Sequence, residues 1–243
     1  MNFYEMLSQH YDVIFPRGEK QSEFIDSYLG EKDKILDIGA GLGSYADYFS
    51  KKGHIVTAID LDETMVHGME HKFEKGLVDF KIKQLDMLDI DQLAPETYNL
   101  AFCIGNTLAH LPNFDLANDF FEKAYNVLED DGILIVQLVN YDRVLEEKVT
   151  ELPVIKREDH GLEFIRKYDF VSDKEVMFKG ELHIKTDKVN DVYEAETELL
   201  ALTCETTRDS ALNSGFKDVT IYGDFKKAEY TVKSPAIVLV ARK

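Results

Sequence analysis

The stretch Lys34-Ile-Leu-Asp37-Ile-Gly39-Ala40-Gly41-Leu-Gly43-Ser-Tyr-Ala46 decides how the rest of the chain is read. The apolar run from Ile35 to Ile38 reads as a buried strand, and Ser44 to Ser50 as the helix that follows it. Between them the glycines fall at every second position. A glycine at such a strand-to-helix turn lets the backbone approach a ligand with no Cβ in the way. A dinucleotide-binding turn spaces its glycines differently, as G-x-G-x-x-G, and uses the third for helix packing. Here Asp37 stands two residues before the first glycine.

A second run, His54-Ile-Val-Thr-Ala-Ile59, ends on Asp60. An acid at the end of the second strand, about 20 residues past the glycines, is placed to accept hydrogen bonds from ribose hydroxyls. Asp60 would serve any adenosine cofactor. Asp37 and the alternate glycines make the distinction: the D-x-G-x-G-x-G form resembles motif I of class I S-adenosylmethionine-dependent methyltransferases. The resemblance implies S-adenosyl-L-methionine as cofactor, with its ammonium near a carboxylate and no pyrophosphate to bind. It implies cofactor contacts from Asp37, Gly39, Ala40, Gly41, Gly43, Asp60 and Leu61.

Composition sets the outer bounds. The chain has 243 residues, 44% hydrophobic and 30% charged, which suits one sizeable core with room for an insertion. Its 46 acidic residues against 28 basic give a net charge of −18. That balance argues against nucleic acid as a partner, since such binding draws on lysine and arginine contacts to phosphate. Cys103 and Cys204 form neither a metal-ligand spacing nor a disulfide framework, so no metal is expected. Residues 1–10 lack a basic start followed by an apolar core, and no apolar stretch approaches the length of a membrane span. The cytoplasm is the expected location.

Strand-like and helix-like segments alternate through the first 140 residues: helices at Gln21–Leu29, Ser44–Lys52, Glu63–Glu74 and Phe114–Leu128, strands at Lys34–Ile38, His54–Ile59, Phe80–Gln84, Tyr98–Ile104 and Ile133–Leu138. This predicts an α/β fold with a doubly wound, mostly parallel sheet, and the resemblance implies its Rossmann-like methyltransferase form. A break is expected at Asp130-Asp131-Gly132. From Pro153 to about Thr203 four extended stretches follow without crossover helices, Val154–Arg157, Glu163–Val171, Val176–Thr186 and Val192–Ala201. They predict a small added antiparallel sheet. A helix at Thr207–Ser214 leads to two last strands, Lys217–Tyr222 and Ala236–Ala241, read as an antiparallel hairpin that completes a seven-stranded sheet. The expected division is a core of residues 1–150 and 204–243, with 151–203 inserted as a lid over the substrate end.

Ligands bind outside the carboxyl ends of strands in open α/β sheets. Asp86 follows the third strand, where it is either an acceptor for the adenine amine or an ordinary loop carboxylate. Ile104-Gly-Asn106-Thr-Leu-Ala-His110-Leu-Pro112 follows the fourth and sets Asn106 and His110 beside the transferred methyl. His110 is otherwise a helix-start or packing residue. The segment from Gly105 to Pro112 is similar to that of the glycine N-methyltransferase group, as are Asn140-Tyr141-Asp142 and Tyr222-Gly-Asp-Phe-Lys226. This likeness implies cofactor contacts at Asp86, Met87 and Ile104, a covering role for Tyr11, and acceptor contacts from Asn106, Tyr141 and Arg143. The group carries a carboxylate-binding arginine just before its Asn-Tyr-Asp, where this chain has Val139. A valine cannot pair with a carboxylate. The sequence therefore predicts methyl transfer to a small molecule, most simply to an amine nitrogen, with glycine a poor acceptor. An O-methyltransferase with His110 as base and a non-catalytic binder of the cofactor are the alternatives.

Overall fold

A computed structural model describes residues 3–185 and 190–243. The strands β1 (Lys34–Ile38), β2 (Ile55–Asp60), β3 (Lys81–Gln84), β4 (Tyr98–Cys103) and β5 (Leu128–Val139) come first. They are followed by β6 (Ile155–Arg157), β7 (Leu162–Phe170), β8 (Glu175–Lys185) and β9 (Asn190–Leu200), then β10 (Asp218–Tyr222) and β11 (Ala236–Arg242). Helices are α1 (Phe3–Gln9), α2 (Tyr11–Ile14), α3 (Glu19–Asp26), α4 (Ser44–Lys51) and α5 (Glu63–Glu74). The remaining ones are α6 (Phe114–Val127), α7 (Tyr141–Glu146) and α8 (Cys204–Asn213). A seven-stranded sheet has the order β10-β11-β5-β4-β1-β2-β3, and β11 alone runs against its neighbours. The second sheet is antiparallel, in the order β6-β7-β8-β9.

Both faces of the large sheet are covered, which is why its central strands are continuous apolar runs. Alternate residues serve the two faces: Ile35, Leu100, Phe102, Ile133 and Ile135 pack under α3, α4 and α5. Leu36, Ile38, Ala101, Leu134 and Val136 pack under α6 and α8 on the other side. No described helix is long and apolar enough to cross a membrane, and both cysteines are free.

Helix α3, expected at Gln21–Leu29, runs Glu19–Asp26, most other boundaries shift by two residues or fewer, and two differ for a visible reason. The break expected at Asp130-Asp131-Gly132 is absorbed into β5, because Leu128 pairs with Tyr98 before the register slips and Asp131 takes a φ of 62°. The helix expected at Thr207 begins at Cys204, where the Thr203 side chain accepts the Thr206 N–H and caps it. Helices α1, α2 and α7 and the 3-10 turns were not anticipated; all are short or weakly periodic. One such turn, Glu158–His160, sits within the otherwise extended region between β6 and β7. Between the stretches expected at Val176–Thr186 and Val192–Ala201, residues 186–189 lie outside the described residues.

The small sheet sets its inner face against two neighbours. Phe164, Leu182 and Ile184 pack with Phe3 and Ile14 of the N-terminal helices. Tyr168, Val176 and Leu199 join the core beneath α6 and α8. Arg157 fastens the sheet to α2 by donating to the Val13 carbonyl at 2.7 Å and the Ile14 carbonyl at 3.0 Å. Strand β9 packs against the 3-10 turn Thr107–His110 that follows β4.

Candidate active site

The glycine loop is held by the neighbouring strand end. Gly39 and Ala40 both donate their N–H to the Ile59 carbonyl at 2.9 Å, and Gly41 N–H donates to Asp60 Oδ2 at 2.7 Å. All three glycines have positive φ, of 71°, 58° and 75°. The loop is also crowded from outside. A Cβ on Gly39 would come within 2.5 Å of Thr107 Cγ2, one on Gly41 within 2.8 Å of Tyr11 Cε1, and one on Gly43 within 2.6 Å of Phe80 Cζ. Glycine is needed here for conformation and for space.

Two carboxylates converge under and beside this loop. Asp60 is half-buried, and its Oδ1 accepts the Asp62 N–H at 3.0 Å while Oδ2 holds Gly41. Burial raises its pKa, and the backbone donors partly oppose the rise. Asp37 is buried at the end of β1. Gly43 occupies the N-cap of α4 without a capping side chain, and Asp37 accepts the Ala46 N–H there from below. Burial, then the nearby Asp60 charge, push its pKa well above 3.8. Its Oδ2 is buried with no hydrogen-bond partner. An orphaned acceptor of this kind, beside a close-approach loop, suits a cationic group such as an ammonium.

The other cofactor candidates ring the same end of the sheet. Asp86 caps the 3-10 helix Met87–Gln92 by accepting the Leu88 N–H at 2.9 Å, so the loop-carboxylate reading has a structural basis. Met87 starts that helix, half-buried, and Ile104 sits half-buried just past β4. Leu61 is 62% exposed beside Asp60, an apolar side chain at the rim. Tyr11 lies against Gly41 with its ring 5.2 Å from Phe15. Burial and the charges of Asp60, Asp37 and Asp12 raise its pKa to about 12, so the hydroxyl stays protonated.

On the acceptor side, Asn106 is committed to the protein. Its φ of 69° is left-handed, its Oδ1 accepts the Val139 N–H at 2.9 Å, and its Nδ2 donates to Tyr141 Oη at 2.9 Å. Tyr141 is fully buried and its hydroxyl is hydrogen-bonded with that of Tyr168 of β7, making a chain from the β4 loop to the small sheet. Tyr168 was missed by sequence reading because only its pairing partner in space identifies it. His110 ends the 3-10 turn with one side open to solvent, and crowding by surrounding chain lowers its pKa below 6.5. Arg143, in the first turn of α7, has a buried Nε with no partner. Arg17 bonds Ser22 Oγ at 2.6 Å and stacks 4.2 Å over Tyr48.

The flanking motif residues are structural. Asn140 Nδ2 lies within 3.3 Å of three carbonyls, those of Thr231, Val232 and Ser234. Asp142 Oδ2 accepts the Cys204 N–H and the Tyr230 hydroxyl, both at 2.7 Å. Together they pin the loop before β11 and the start of α8 to the end of β5. Tyr222 and Phe225 pack edge-on against Phe24, on the face under α3. Among the described residues no group of three His, Cys, Asp or Glu is placed to hold a metal ion.

Comparison with known proteins agrees with this geometry. The family profile of a methyltransferase domain matches residues 35–132, which run from the first strand into the fifth. A glycine/sarcosine N-methyltransferase from Aphanothece halophytica is 24% identical over 230 residues, covering 93% of this chain and 83% of the relative. A ubiquinone biosynthesis O-methyltransferase from Pseudomonas savastanoi is 26% identical over 119 residues, covering 48% of this chain and 49% of its own. The solved structure of an S-adenosylmethionine-dependent methyltransferase from Clostridium acetobutylicum superposes with a TM-score of 0.79 at 16% identity, over 99% of each chain. An orphaned carboxylate under an alternate-glycine loop, a methyltransferase domain matched over residues 35–132 and the shared fold together support a class I S-adenosylmethionine-dependent methyltransferase.

Proposed function

We propose that this methyltransferase acts on an amine nitrogen of a small-molecule acceptor. The observation that carries the reading is the make-up of the acceptor side, where Asn106 bonds Tyr141 and the 3-10 turn that follows Asn106 ends on His110. Asn106 and Tyr141, engaged with each other, fix the shape of this side, and His110, its pKa lowered by burial, is a weak base. A neutral amine needs orientation above all; an alcohol needs a base. The 24% likeness to a glycine/sarcosine N-methyltransferase supports nitrogen.

In the proposed arrangement Asp37, Gly39, Ala40, Gly41, Gly43, Asp60, Leu61, Asp86, Met87 and Ile104 hold the cofactor, and Tyr11 covers it. When bound, S-adenosyl-L-methionine supplies an electrophilic methyl and leaves as S-adenosylhomocysteine. Asp37 balances the ammonium, and Asp60 accepts from the ribose with lone pairs that Gly41 and Asp62 leave free. Asn106 acts mainly as a positioning residue, fixing Tyr141 and the end of β5. His110, neutral at pH 7 because of its lowered pKa, takes the proton released from the methylated amine. Residues 151–203 form a lid on a core of 1–150 and 204–243.

The test is a panel of amines, alcohols and phenols assayed for S-adenosylhomocysteine release. At least one amine should turn over and glycine should be poor, since Val139 offers it no cation. Turnover confined to alcohols or phenols would overturn the nitrogen assignment, and efficient glycine methylation would overturn the role given to Val139.

A further inference from the structure

We infer that Arg166, on the inner face of the small sheet, receives an oxyanion of the acceptor, so that the substrate is an amine that also carries a carboxylate or a phosphate. The inference rests on the methyltransferase reading of the cleft and names the class of molecule it takes.

The alternation of the sheet isolates this residue. Outward-facing side chains of β6 to β9 form a web of ion pairs, Lys156–Glu163, Lys167–Glu181, Lys179–Asp169 and Lys179–Glu196. The inward positions of β7 are Leu162, Phe164, Arg166, Tyr168 and Phe170, apolar or aromatic but for one cation. Arg157, which also faces inward, is committed to the carbonyls of α2. Arg166 makes one hydrogen bond, from a terminal nitrogen to the Pro153 carbonyl at 2.8 Å, and forms no ion pair among the described residues. Its Nε is buried without an acceptor. A partly buried guanidinium whose Nε–H lacks an acceptor has hydrogen-bonding capacity left for a ligand. A guanidinium is also the side chain best shaped to take a planar oxyanion.

Its aromatic neighbours lead to the cleft. Across the ladder Arg166 pairs with Gly180, over which the rings of Phe3, Phe164 and Phe178 close, so the guanidinium is bordered by aromatic rings. On one side, the Phe164 ring lies 5.7 Å from Phe15, and Phe15 lies 5.2 Å from Tyr11, which rests on Gly41. On the other, the Tyr168 ring lies 6.4 Å from Tyr141, whose hydroxyl holds Asn106. Arg166 therefore stands between two files of aromatic rings. One file ends on the cofactor loop, and the other ends at the acceptor-side asparagine. The cation that Val139 denies the end of β5 is supplied by the opposite wall.

The experiment uses the full chain saturated with S-adenosylhomocysteine, titrated with acetate and, in a separate arm, with inorganic phosphate. Binding is followed by the arginine Nε–H resonances and by calorimetry. At least one anion should bind saturably and shift the Arg166 resonance. Affinity should fall at least tenfold in Arg166→Met and recover in part in Arg166→Lys, with S-adenosylhomocysteine affinity unchanged. A response to acetate identifies an amino-acid-like acceptor, and a response to phosphate a phosphorylated amine. Equal anion affinity in the native chain and Arg166→Met overturns the inference, as does a loss seen in Arg143→Met alone. If Arg166→Met fails to fold, an Arg166 resonance that ignores both anions in the native protein overturns it equally. Failure of the native chain to bind S-adenosylhomocysteine refutes the cofactor reading instead.

Discussion

Replacing Asp37 with asparagine keeps the shape of the side chain and removes its charge. The amide oxygen can still accept the Ala46 N–H, so α4 keeps its cap. What changes is the buried Oδ2, which has no partner. The folded-state pKa of Asp37 lies well above its ordinary value, so the folded chain binds a proton that the unfolded chain releases. Without cofactor, stability therefore falls as pH rises from about 4 through the raised pKa, and Asp37→Asn should remove that fall. Cofactor binding responds in the opposite sense, because the ammonium favours the ionised acid. A charge-assisted hydrogen bond contributes about 1.5–3 kcal/mol, so the variant should bind S-adenosylhomocysteine about 10- to 150-fold more weakly at about pH 8. The gap should close on acidification as native Asp37 protonates. Calorimetric titrations and melting curves across this range measure both effects. Equal affinities at about pH 8, or a ligand-free variant less stable than the native chain there, would refute the reasoning.

Gly41→Ala should weaken cofactor binding by pushing Tyr11 aside. Gly53→Ala, with a φ of 98° and nothing within 4 Å, should cost only backbone strain of about 1–2 kcal/mol and leave affinity alone. Isothermal titration of the pair separates crowding from strain. Tyr141→Phe strands the Asn106 amide and the Tyr168 hydroxyl, and urea unfolding should show a loss of about 1–3 kcal/mol. Asn140→Ala should cost about 1.5–4 kcal/mol by freeing three carbonyls, yet leave S-adenosylhomocysteine affinity nearly unchanged in the folded protein.

The sheet was legible because its signals are local. Ile35–Ile38 and Ile133–Leu138 are apolar runs, and β7 and β8 alternate over nine and eleven residues. The glycine loop was legible as a site for the same reason. What could not be read was the use each polar group finds in space. Asp37 reads as a ligand acceptor; that it also caps α4 depends on Gly43 having no side chain to do so. Asn106 reads as an acceptor-binding residue, and its amide turns out to tie Val139 to Tyr141. Asn140 and Asp142 resemble site residues by their place after β5, and both brace a loop about 90 residues further on. Tyr168 and Arg166 carried no sequence signal at all, since inner and outer positions of an added strand cannot be told apart without the body it packs on.

The position of β11 bears on how the protein is made. It lies between β5 and β10, yet roughly 100 residues separate it from β5 in the chain. On a ribosome, β1, β2, β4 and the glycine loop can assemble while β5 still shows one bare edge along an apolar run. At ordinary elongation rates that edge stays open for about 5–20 s, long enough to recruit a stray strand from another nascent chain. A ribosome stalled before Ala236 would release a chain with its cofactor loop built and its sheet unsealed. Chaperone demand during synthesis should accordingly fall only once residues 236–242 have left the exit tunnel.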